Sequence, residues 1–533
     1  MAAACRVLCS DVKGGGGRTA RDFVERVERA TTPMMTPPRP LCRPVPSRLM
    51  LRRTAVLLCF TQAVGWSQEQ PVGVHLSLTS ARELVVSWST EGPTSASLVQ
   101  LQTGGDFDQV VVGSQTLFEA SPRRNVSLHS ATLKGLEPGA AYTYRVGSQD
   151  AWSLPLTLRA QRASFSEWEP LRLLAFCDAG VVDGARSAAL DAATADASAA
   201  PFDALLHCGD VAYDLHDEEG RTAERYLTQV QPLTSAVPML VSPGNHEAHA
   251  NFSAYRKRFA AMPGSGASAS ESLYWSQDFG PVHLVSYNTE VFFWPDLFGS
   301  EHAARQHAWL DEDLAAADAN RDNVPWVLMM GHRPMYCVWP DAQGRCDGEH
   351  EASRLGLMSS CSKLDGHTCS MRRGAPGNLS VEALMYRHGV DVAMFGHVHI
   401  YQRNWPVYDE KVLAQGAGAY DDPPATVHVT SGAGGNREMR VGGEAPPHGP
   451  GGRWCAFQSG YAPRDGQSAD YSFSRITVPN ATHLRWEQVS GTLGRVVDEF
   501  WVTRSRGVPS FGSRAGASSR MQGWPAGARA TAR

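Results

Sequence analysis

The stretch Phe202-Asp-Ala-Leu-Leu-His207 is followed by Cys208 and then by Gly209-Asp-Val-Ala-Tyr-Asp214. A short apolar segment that ends at glycine and aspartate is typical of a buried strand leading into a loop. The same order occurs in Leu171-Arg-Leu-Leu-Ala-Phe176, which precedes Asp178-Ala-Gly180. Open α/β sheets place their ligand sites just beyond the carboxyl ends of strands. We therefore expect the polar side chains after these strands to meet at one edge of a sheet.

Helical stretches alternate with further apolar strands along the chain. The predicted strands are 282–286, 324–330 and 390–395, and the predicted helices are 185–197, 302–317 and 381–388. Alternation of this kind indicates an α/β layer architecture. Three later strands, at 471–478, 483–489 and 496–502, follow a strand at 426–430. They are predicted to complete the second half of the α/β sandwich.

The residues from about 70 to 162 have a different pattern, with short alternating strands and frequent turn residues. Predicted strands cover 74–78, 83–88, 97–101 and 142–146, which indicates a β-sandwich. Leu136-Glu-Pro-Gly139 before Tyr142 resembles the tyrosine-corner region of fibronectin type III domains. We expect this domain to support the structure rather than to bind a ligand.

Five short motifs carry the side chains with metal-binding chemistry. Any one of them is weak, because isolated aspartates, asparagines and histidines more often serve as caps, turns or packed core residues. Their joint order after successive strands is the specific signal. Carboxylate and amide oxygens together with imidazole nitrogens suit Zn, Fe or Mn, and a tyrosine phenolate suits a ferric ion. The seven candidate ligands are Asp178, Asp210, Tyr213, Asn245, His332, His397 and His399.

Charge is distributed unevenly over the 533 residues. The net charge is −5, but residues 1–66 carry +7 and residues 504–533 carry +6, which leaves −18 for residues 67–503. Such an acidic body repels nucleic acid and anionic membrane surfaces, so neither is expected as a partner. No segment predicts a transmembrane helix.

The amino-terminal region has the pattern of a secretory signal. Arg52 and Arg53 precede an apolar run, 54–64, that ends near the small residues Gly65 and Ser67. About 11 apolar residues are too few to span a bilayer. Because signals normally start a chain, we expect Met50 to be the working initiator. The alternative is a short buried strand in a cytosolic protein.

Glycosylation sites and cysteines agree with secretion. Asn125, Asn251, Asn378 and Asn480 each begin an Asn-x-Ser/Thr acceptor. Cys337 with Cys346, and Cys361 with Cys369, could each close a short loop in an oxidising compartment. Cys177 and Cys208 lie in apolar runs and are predicted to be buried small hydrophobes. We expect a secreted, extracellular or lumenal glycoprotein.

Together, these motifs give residues from about 70 to 503 a specific resemblance to the long-form iron/zinc purple acid phosphatases, which belong to the calcineurin-like metallophosphoesterases. The resemblance implies a fibronectin type III-like β-sandwich followed by an α/β four-layer metallophosphoesterase sandwich. By the same resemblance, Asp178, Asp210, Tyr213 and His399 bind a ferric ion. The matching ligands of a divalent ion are Asp210, Asn245, His332 and His397, with Asp210 bridging. Zn is favoured as the divalent ion, with Fe or Mn as alternatives.

His246 resembles the family histidine that contacts the substrate phosphate, and it is the candidate catalytic residue. The implied reaction is attack of a metal-bound hydroxide on a phosphate monoester at acidic pH. The chain departs from plant members about ten residues after His332, where they carry a histidine pair. Either Asp341 or His350 could substitute, so the general acid and the specificity loop stay open.

The resemblance predicts an acid phosphatase acting on phosphate esters, and a homodimer is possible. One alternative is a nucleotide phosphodiesterase or pyrophosphatase on the same fold. The other is a catalytically silent secreted binding protein. The predicted division is an extension outside the folded protein at 1–49, a signal peptide at 50–66, the N-terminal domain at 70–162, the catalytic domain at 168–423, its C-terminal part at 424–503 and a disordered tail at 504–533.

Overall fold

A computed structural model describes residues 68–80, 83–103, 105–181, 186–264, 272–337, 345–357, 359–361, 369–371, 379–436, 438, 454–459 and 470–505. The predicted extension 1–49, the predicted signal 50–66 and the tail beyond residue 505 lie outside these residues. Among the described residues, no helix combines the length and apolarity needed to cross a bilayer.

Eight strands form the amino-terminal part. They are β1 (Val72–Ser80), β2 (Glu83–Thr90), β3 (Leu98–Thr103), β4 (Asp106–Val112), β5 (Ser114–Ser121), β6 (Arg124–Leu133), β7 (Ala141–Gly147) and β8 (Leu156–Arg159). One antiparallel sheet has the order β1-β2-β6-β5 and the other has the order β4-β3-β7-β8. Trp88 is buried and stacks on His129, as expected for a core residue. The Tyr142 hydroxyl accepts a 2.9 Å hydrogen bond from the Glu137 amide, the contact typical of a tyrosine corner.

The remaining elements alternate strands with helices. In chain order they are β9 (Leu171–Phe176), β10 (Ala179–Gly180), α1 (Ala188–Ala199), β11 (Ala204–Cys208), β12 (Val211–Ala212), α2 (Arg221–Thr234), β13 (Met239–Ser242), a 3₁₀ helix (Asn245–Glu247), α3 (His249–Arg258), β14 (Trp275–Phe279), β15 (Val282–Ser286), a second 3₁₀ helix (Thr289–Phe292), α4 (Pro295–Phe298), α5 (Ser300–Ala319), β16 (Trp326–Met330), α6 (Arg345–Leu355), β17 (Ser359–Cys361), β18 (Cys369–Met371), α7 (Val381–His388), β19 (Val392–Phe395), β20 (Tyr401–Asn404), β21 (Val407–Tyr408), β22 (Lys411–Val412), β23 (Val427–Ser431), β24 (Cys455–Ser459), β25 (Ser472–Asn480), β26 (His483–Ser490) and β27 (Arg495–Thr503).

Two mixed sheets carry the second part of the chain. The six-stranded sheet has the order β13-β11-β9-β25-β26-β27, with β9, β11 and β13 parallel. The seven-stranded sheet has the order β14-β15-β16-β19-β23-β20-β24, with β15, β16, β19 and β23 parallel. The late strands extend the first sheet, in which β25 pairs antiparallel with β9, β26 with β25 and β27 with β26. The parallel strands of both sheets are mainly apolar and almost entirely buried.

Predicted and observed elements agree closely, and their differences have local causes. The strand β15 and the helix α7 have the predicted bounds. The helix α1 starts three residues later than predicted, at Ala188, because the Ser187 hydroxyl accepts from the Leu190 amide and caps it. The strand β16 starts at Trp326 rather than Val324, directly after Pro325, which has no amide hydrogen for a ladder bond.

Candidate metal centre

Four strand ends deliver most of the predicted ligands to one place. Asp178 follows β9 and Asp210 follows β11 in the six-stranded sheet, whereas His332 follows β16 and His397 follows β19 in the seven-stranded sheet. The 3₁₀ helix after β13 presents Asn245. The carboxyl ends of strands from the two sheets come together here, so residues more than 200 positions apart in sequence are in contact: the His397 amide donates to the Asp178 carboxylate at 2.9 Å.

Three predicted ligands form a first cluster around a phenol. The Tyr213 hydroxyl lies 3.0 Å from Oδ1 of Asp178 and 2.6 Å from Nε2 of His399. Nε2 of His399 is 3.7 Å from the same carboxylate oxygen. Asp178 and Tyr213 are at most 1 % exposed. This is the set for which the family resemblance predicts a ferric ion, apart from Asp210.

Four predicted ligands form a second cluster. Nε2 of His332 lies 3.1 Å from Oδ1 of Asn245 and 3.2 Å from Oδ1 of Asp210. One ligand atom each from Asp210, His332 and His397 lies within 4.8 Å of the others. The second cluster therefore has the composition predicted for a divalent ion, including the proposed bridging carboxylate.

The chemistry of the second cluster fits a cation. Nδ1 of His332 donates to the Cys208 carbonyl at 3.0 Å, so the neutral ring directs the lone pair of Nε2 at the oxygens of Asp210 and Asn245. Three lone pairs that converge in a buried place require a positive charge between them. Burial lowers the pKa of His332, but the Asp210 carboxylate outweighs burial and raises this pKa to about 9. With this raised pKa, the His332 ring binds a proton at neutral pH. That proton supplies the positive charge that a bound metal ion would supply to the neutral ring.

Comparison with known proteins identifies the family. The calcineurin-like phosphoesterase family model matches residues 181–401. The models for the purple acid phosphatase N-terminal domain and for the iron/zinc purple acid phosphatase-like protein C region match residues 71–160 and 425–499. Acid phosphatase type 7 of Homo sapiens is 33% identical over 470 residues, covering 86% of this chain and 97% of that protein. The chain belongs to the purple acid phosphatase family.

More distant relatives agree with this assignment. A probable purple acid phosphatase of Arabidopsis thaliana is 26% identical over 430 residues, covering 78% of this chain and 83% of that protein. A solved structure of a purple acid phosphatase from yellow lupin seeds has a TM-score of 0.61 at 20% identity, covering 82% of this chain and 75% of that chain. At that identity the likeness shows the fold alone. The predicted family and the predicted fold, a β-rich domain followed by a metallophosphoesterase domain, are confirmed.

The candidate catalytic histidine of this purple acid phosphatase lies beside both clusters. The His246 amide donates to Oδ1 of Asp210 at 3.1 Å, and its ring packs on Tyr213 at 4.4 Å between centroids. Nδ1 of His246 lies 2.7 Å from Oδ1 of Asp214, and Nε2 lies 3.8 Å from Oε2 of Glu438. Asp214 therefore orients the ring of His246. Nothing in the motifs pointed to Glu438.

Burial and neighbouring charges shift the pKa values of three buried groups in the site. Burial, reinforced by Asp210 and opposed by His332, raises the pKa of Asp178 well above its usual range. Burial also acts to raise the pKa of Asp210, but the positive charges of His332 and His246 outweigh it and hold this pKa low. Burial lowers the pKa of His246, yet the carboxylates of Asp210 and Asp214 raise it to about 10.

A buried glutamate braces the loops that carry these ligands. Oε2 of Glu247 accepts from the amides of Asp210 at 3.0 Å and Gly244 at 2.7 Å, and Oε1 accepts from Val211 at 2.8 Å. A second carboxylate, Glu290, forms a fully buried ion pair with Arg333 at 2.9 Å. Glu247 directly follows His246 in sequence, and this position beside the candidate catalytic residue is the signal that could have identified it.

Several predicted residues lie apart from the centre or outside the described residues. His350 packs near Trp454, with 6.3 Å between ring centroids, and Asp341 is not among the described residues. Asn125 and Asn251 are exposed, and Asn480 is half-buried with its amide on Glu167. Asn378 lies outside the described residues.

The prediction for Cys177 and Cys208 is wrong in one respect. Both side chains are buried as expected, but they form a disulfide rather than serving as separate small hydrophobes. The parallel register of β9 and β11 brings the two positions side by side, which no reading of single segments could show. Cys337 is also disulfide-bonded, and the side chain of Cys346, predicted to pair with it, lies outside the described residues. Cys361 and Cys369 are Cα partners across the β17–β18 pair.

Proposed function

We propose that this protein is an acid phosphatase that hydrolyses phosphate monoesters at a dinuclear metal centre. The observation that carries the proposal is the pair of donor clusters, one around Tyr213 and one around His332, with Asp210 next to His246 and His332. Each cluster supplies both oxygen and nitrogen donors, which suits Fe and Zn rather than Mg.

We assign one ferric ion to Asp178, Asp210, Tyr213 and His399. The divalent ion is assigned to Asp210, Asn245, His332 and His397, and Zn is the proposed occupant because a set of imidazole and oxygen donors suits it; Fe and Mn are the alternatives. When bound, such a pair of ions lowers the pKa of water and neutralises charge on the phosphate.

The protein's own residues orient the substrate and manage a proton. His246 carries a proton at neutral pH because its pKa is raised to about 10, so its Nε2–H can donate to a phosphate oxygen. Asp214 holds Nδ1 of His246 and fixes the direction of that donor. Protonated His246 is also suited to donate a proton to the leaving alkoxide.

The deciding experiment is the visible spectrum and metal content of protein secreted from residue 50 onward, compared with Tyr213→Phe. We expect about two metals per chain and a broad visible band, which the variant loses because it has no phenolate to bind the ferric ion. A colourless protein with two metals would point to a different metal pair or a reduced centre. No tightly bound metal would favour a secreted binding protein.

Substrate class needs a separate test. The nearer alternative is a phosphodiesterase or pyrophosphatase acting on nucleotides, on the same fold. Turnover of a monoester such as p-nitrophenyl phosphate at acidic pH should exceed that of its bis(p-nitrophenyl) diester. Faster diester turnover would replace the monoesterase proposal.

We further propose that the chain is secreted, with residues 50–66 as its signal and Asn125, Asn251, Asn378 and Asn480 as glycosylation sites. The exposure of Asn125 and Asn251 supports this proposal, as does a disulfide, which persists in oxidising compartments. Secretion and a mass shift after glycosidase treatment are the expected results for a chain started at Met50. Homodimerisation and the domain boundaries stay predictions, which sedimentation and limited proteolysis would test.

A further inference from the structure

The disulfide between Cys177 and Cys208 lies directly behind the metal centre. It joins the neighbouring parallel strands β9 and β11 with a Cα–Cα distance of 4.8 Å, and both side chains are 0% exposed. Paired positions continue along the strands up to Phe176 and His207, so the two cysteines come one residue beyond the last backbone pair. Asp178 follows Cys177 at once, and Asp210 comes two residues after Cys208.

Both halves of the bridge also contact the opposite sheet. The Cys208 carbonyl accepts from Nδ1 of His332 at 3.0 Å, which orients that ring toward Asp210. The Cys177 amide donates to the Ser431 carbonyl at 3.0 Å, and the Cys177 carbonyl accepts from the Gly434 amide at 3.1 Å. A shift of either cysteine would therefore move a metal-binding side chain.

Close packing also restricts Cys177 and Asp178 on the side that faces the seven-stranded sheet. A Cβ added to Gly396 would lie 2.4 Å from Oδ2 of Asp178 and 2.6 Å from Cβ of Cys177. A Cβ on Gly434 would lie 2.4 Å from the Cys177 carbonyl oxygen. Gly396 and Gly434, which follow strands of the seven-stranded sheet, pack closely against Asp178 and Cys177. The disulfide links this segment to the segment of the six-stranded sheet that carries Asp210.

We infer that the Cys177–Cys208 disulfide is a positioning element of the metal centre, fixing the spacing of the segments that carry Asp178 and Asp210 and the orientation of His332. Two buried carboxylates repel each other when no metal lies between them. Pairing of β9 with β11 ends at Phe176 and His207, and the two segments pair again as β10 and β12; between these pairs the Asp178 amide donates to the Gly209 carbonyl at 3.2 Å. A covalent bridge at this point keeps the metal-free site from opening. This inference rests on the proposed metal centre.

Formation of the bridge sets a chemical requirement. The two thiols lose two protons and two electrons to an external disulfide, which is reduced to two thiols as the Cys177–Cys208 bond forms. Because both sulfurs are fully buried in the folded chain, the exchange must occur before folding is complete. The native bridge should then resist a thiol reductant unless the protein is unfolded.

The first test maps the bond in the wild-type protein. The protein is unfolded in denaturant together with a thiol-blocking reagent and digested without reduction, and the peptides are identified by mass spectrometry. We expect a linked peptide containing Cys177 and Cys208, and no blocked thiol at either position. Free thiols at both positions would overturn the inference.

The second test measures Zn²⁺ release to a chelator from C177A/C208A. The matched control is C455A, which removes the half-buried free cysteine of β24. Mutation of groups that orient metal ligands typically lowers metal affinity 10- to 100-fold. We therefore expect the double variant to release Zn²⁺ about tenfold faster or more. The control should match wild type. A folded double variant with wild-type release would contradict the positioning role.

Folding of the variant is checked by circular dichroism, and C177S/C208S provides a second version with side chains close to the size of cysteine. If neither double variant folds, the disulfide stabilises the fold as a whole and the positioning role is rejected. Neither test uses a phosphate ester. A bridged, metal-retaining protein without phosphatase activity would therefore reject the proposed function and leave this inference intact.

Discussion

At the scale of single residues, the ligand-bearing loops have strained backbones. Asp178, Asp210 and His397 have positive φ angles of 59°, 52° and 66°, a region that costs a residue with a side chain roughly 1–2 kcal/mol. The strain is sustained by hydrogen bonds, since the Asp178 carboxylate accepts from His397 and Glu247 accepts from Asp210. Strain of this kind concentrates where surrounding structure fixes functional groups.

Gly209 shows how little space these loops leave. Its φ is +92°, and an added Cβ would lie 2.5 Å from Nδ1 of His332. We expect Gly209→Ala to lose most bound metal and to lower the unfolding free energy by several kcal/mol, on the order of a strained residue plus a core clash. Metal analysis and urea denaturation measure both effects.

Gly299 supplies the control for that change. Its φ is +71° with ψ 158°, and no atom lies within 4 Å of an added Cβ, so Gly299→Ala should cost only the backbone term of roughly 1–3 kcal/mol. Metal content should stay unchanged. Equal effects of both substitutions would show that packing against His332 is unimportant.

His246 is expected to affect turnover more than metal binding. Loss of a general acid typically lowers kcat by about 10²–10⁴-fold, so His246→Asn should reduce kcat within that range while two metals remain bound. His216→Asn is the control, because His216 stacks on His249 at 3.8 Å and contacts no predicted ligand directly. Loss of metal in parallel with kcat would instead make His246 a structural support of the centre.

At the scale of elements, a buried ion network joins the β-sandwich to two helices. Arg124 of β6 donates to Glu224 of α2 at 2.9 Å and to Glu91 at 2.7 Å, and Arg258 of α3 donates to Glu224 at 2.5 Å. Glu224→Gln would leave two buried guanidinium groups short of negative charge. We expect a loss of about 3–5 kcal/mol in denaturant unfolding.

An exposed pair that joins α2 to the turn before it calibrates that prediction. Glu218 and Arg225 are 2.7 Å apart with side chains 58% and 46% exposed. Glu218→Gln should cost less than about 1 kcal/mol because solvent screens such pairs. A similar cost for both glutamates would mean that burial of the network contributes nothing.

A histidine between β14 and α5 predicts a pH dependence of stability. Burial lowers the pKa of His283, but hydrogen bonds to Asp278 and Asp313 raise it from 6.5 to about 9. Because the folded-state pKa is raised, the stabilisation is complete below pH 6.5 and is lost as pH rises through about 9. The expected loss is on the order of 3 kcal/mol.

Asp313→Asn isolates this contribution. Unfolding free energies measured from pH 6 to pH 10 should fall less steeply for the variant than for wild type, since its His283 has lost the more buried of its two carboxylates. Parallel profiles would show that the ion pair does not titrate in this range.

At the scale of the whole molecule, the sandwich and the metallophosphoesterase domain share one continuous core. The Tyr144 hydroxyl donates to the Ser235 carbonyl at 2.7 Å, and the Val74 amide donates to Oε1 of Gln231 at 2.9 Å. Leu227 of α2 packs directly on Gly73. We expect one calorimetric transition for the full chain, and Leu227→Ala should shift it downward without splitting it. Two separate transitions would show that the domains unfold independently.

Much of the site was predictable because its residues follow strands in a fixed order. Apolar periodicity located β9, β11, β16 and β19, and the residues just after them include four of the predicted ligands. Donor chemistry then predicted the kinds of metal. Local sequence was enough to place the ligands of each sheet together, since parallel strand ends share one edge, whereas the meeting of the two sheets depends on tertiary packing.

The contacts that orient the site were not predictable, because they join segments whose approach depends on register and packing. The sequence by itself determined the order of elements, the ligand types and the acidic character of the body. Only the tertiary structure decided that Cys177 pairs with Cys208, that Asp214 and Glu438 flank His246, and that the Cys208 carbonyl orients His332. Periodicity is a property of one segment, whereas a contact of a few ångströms is set by two segments at once.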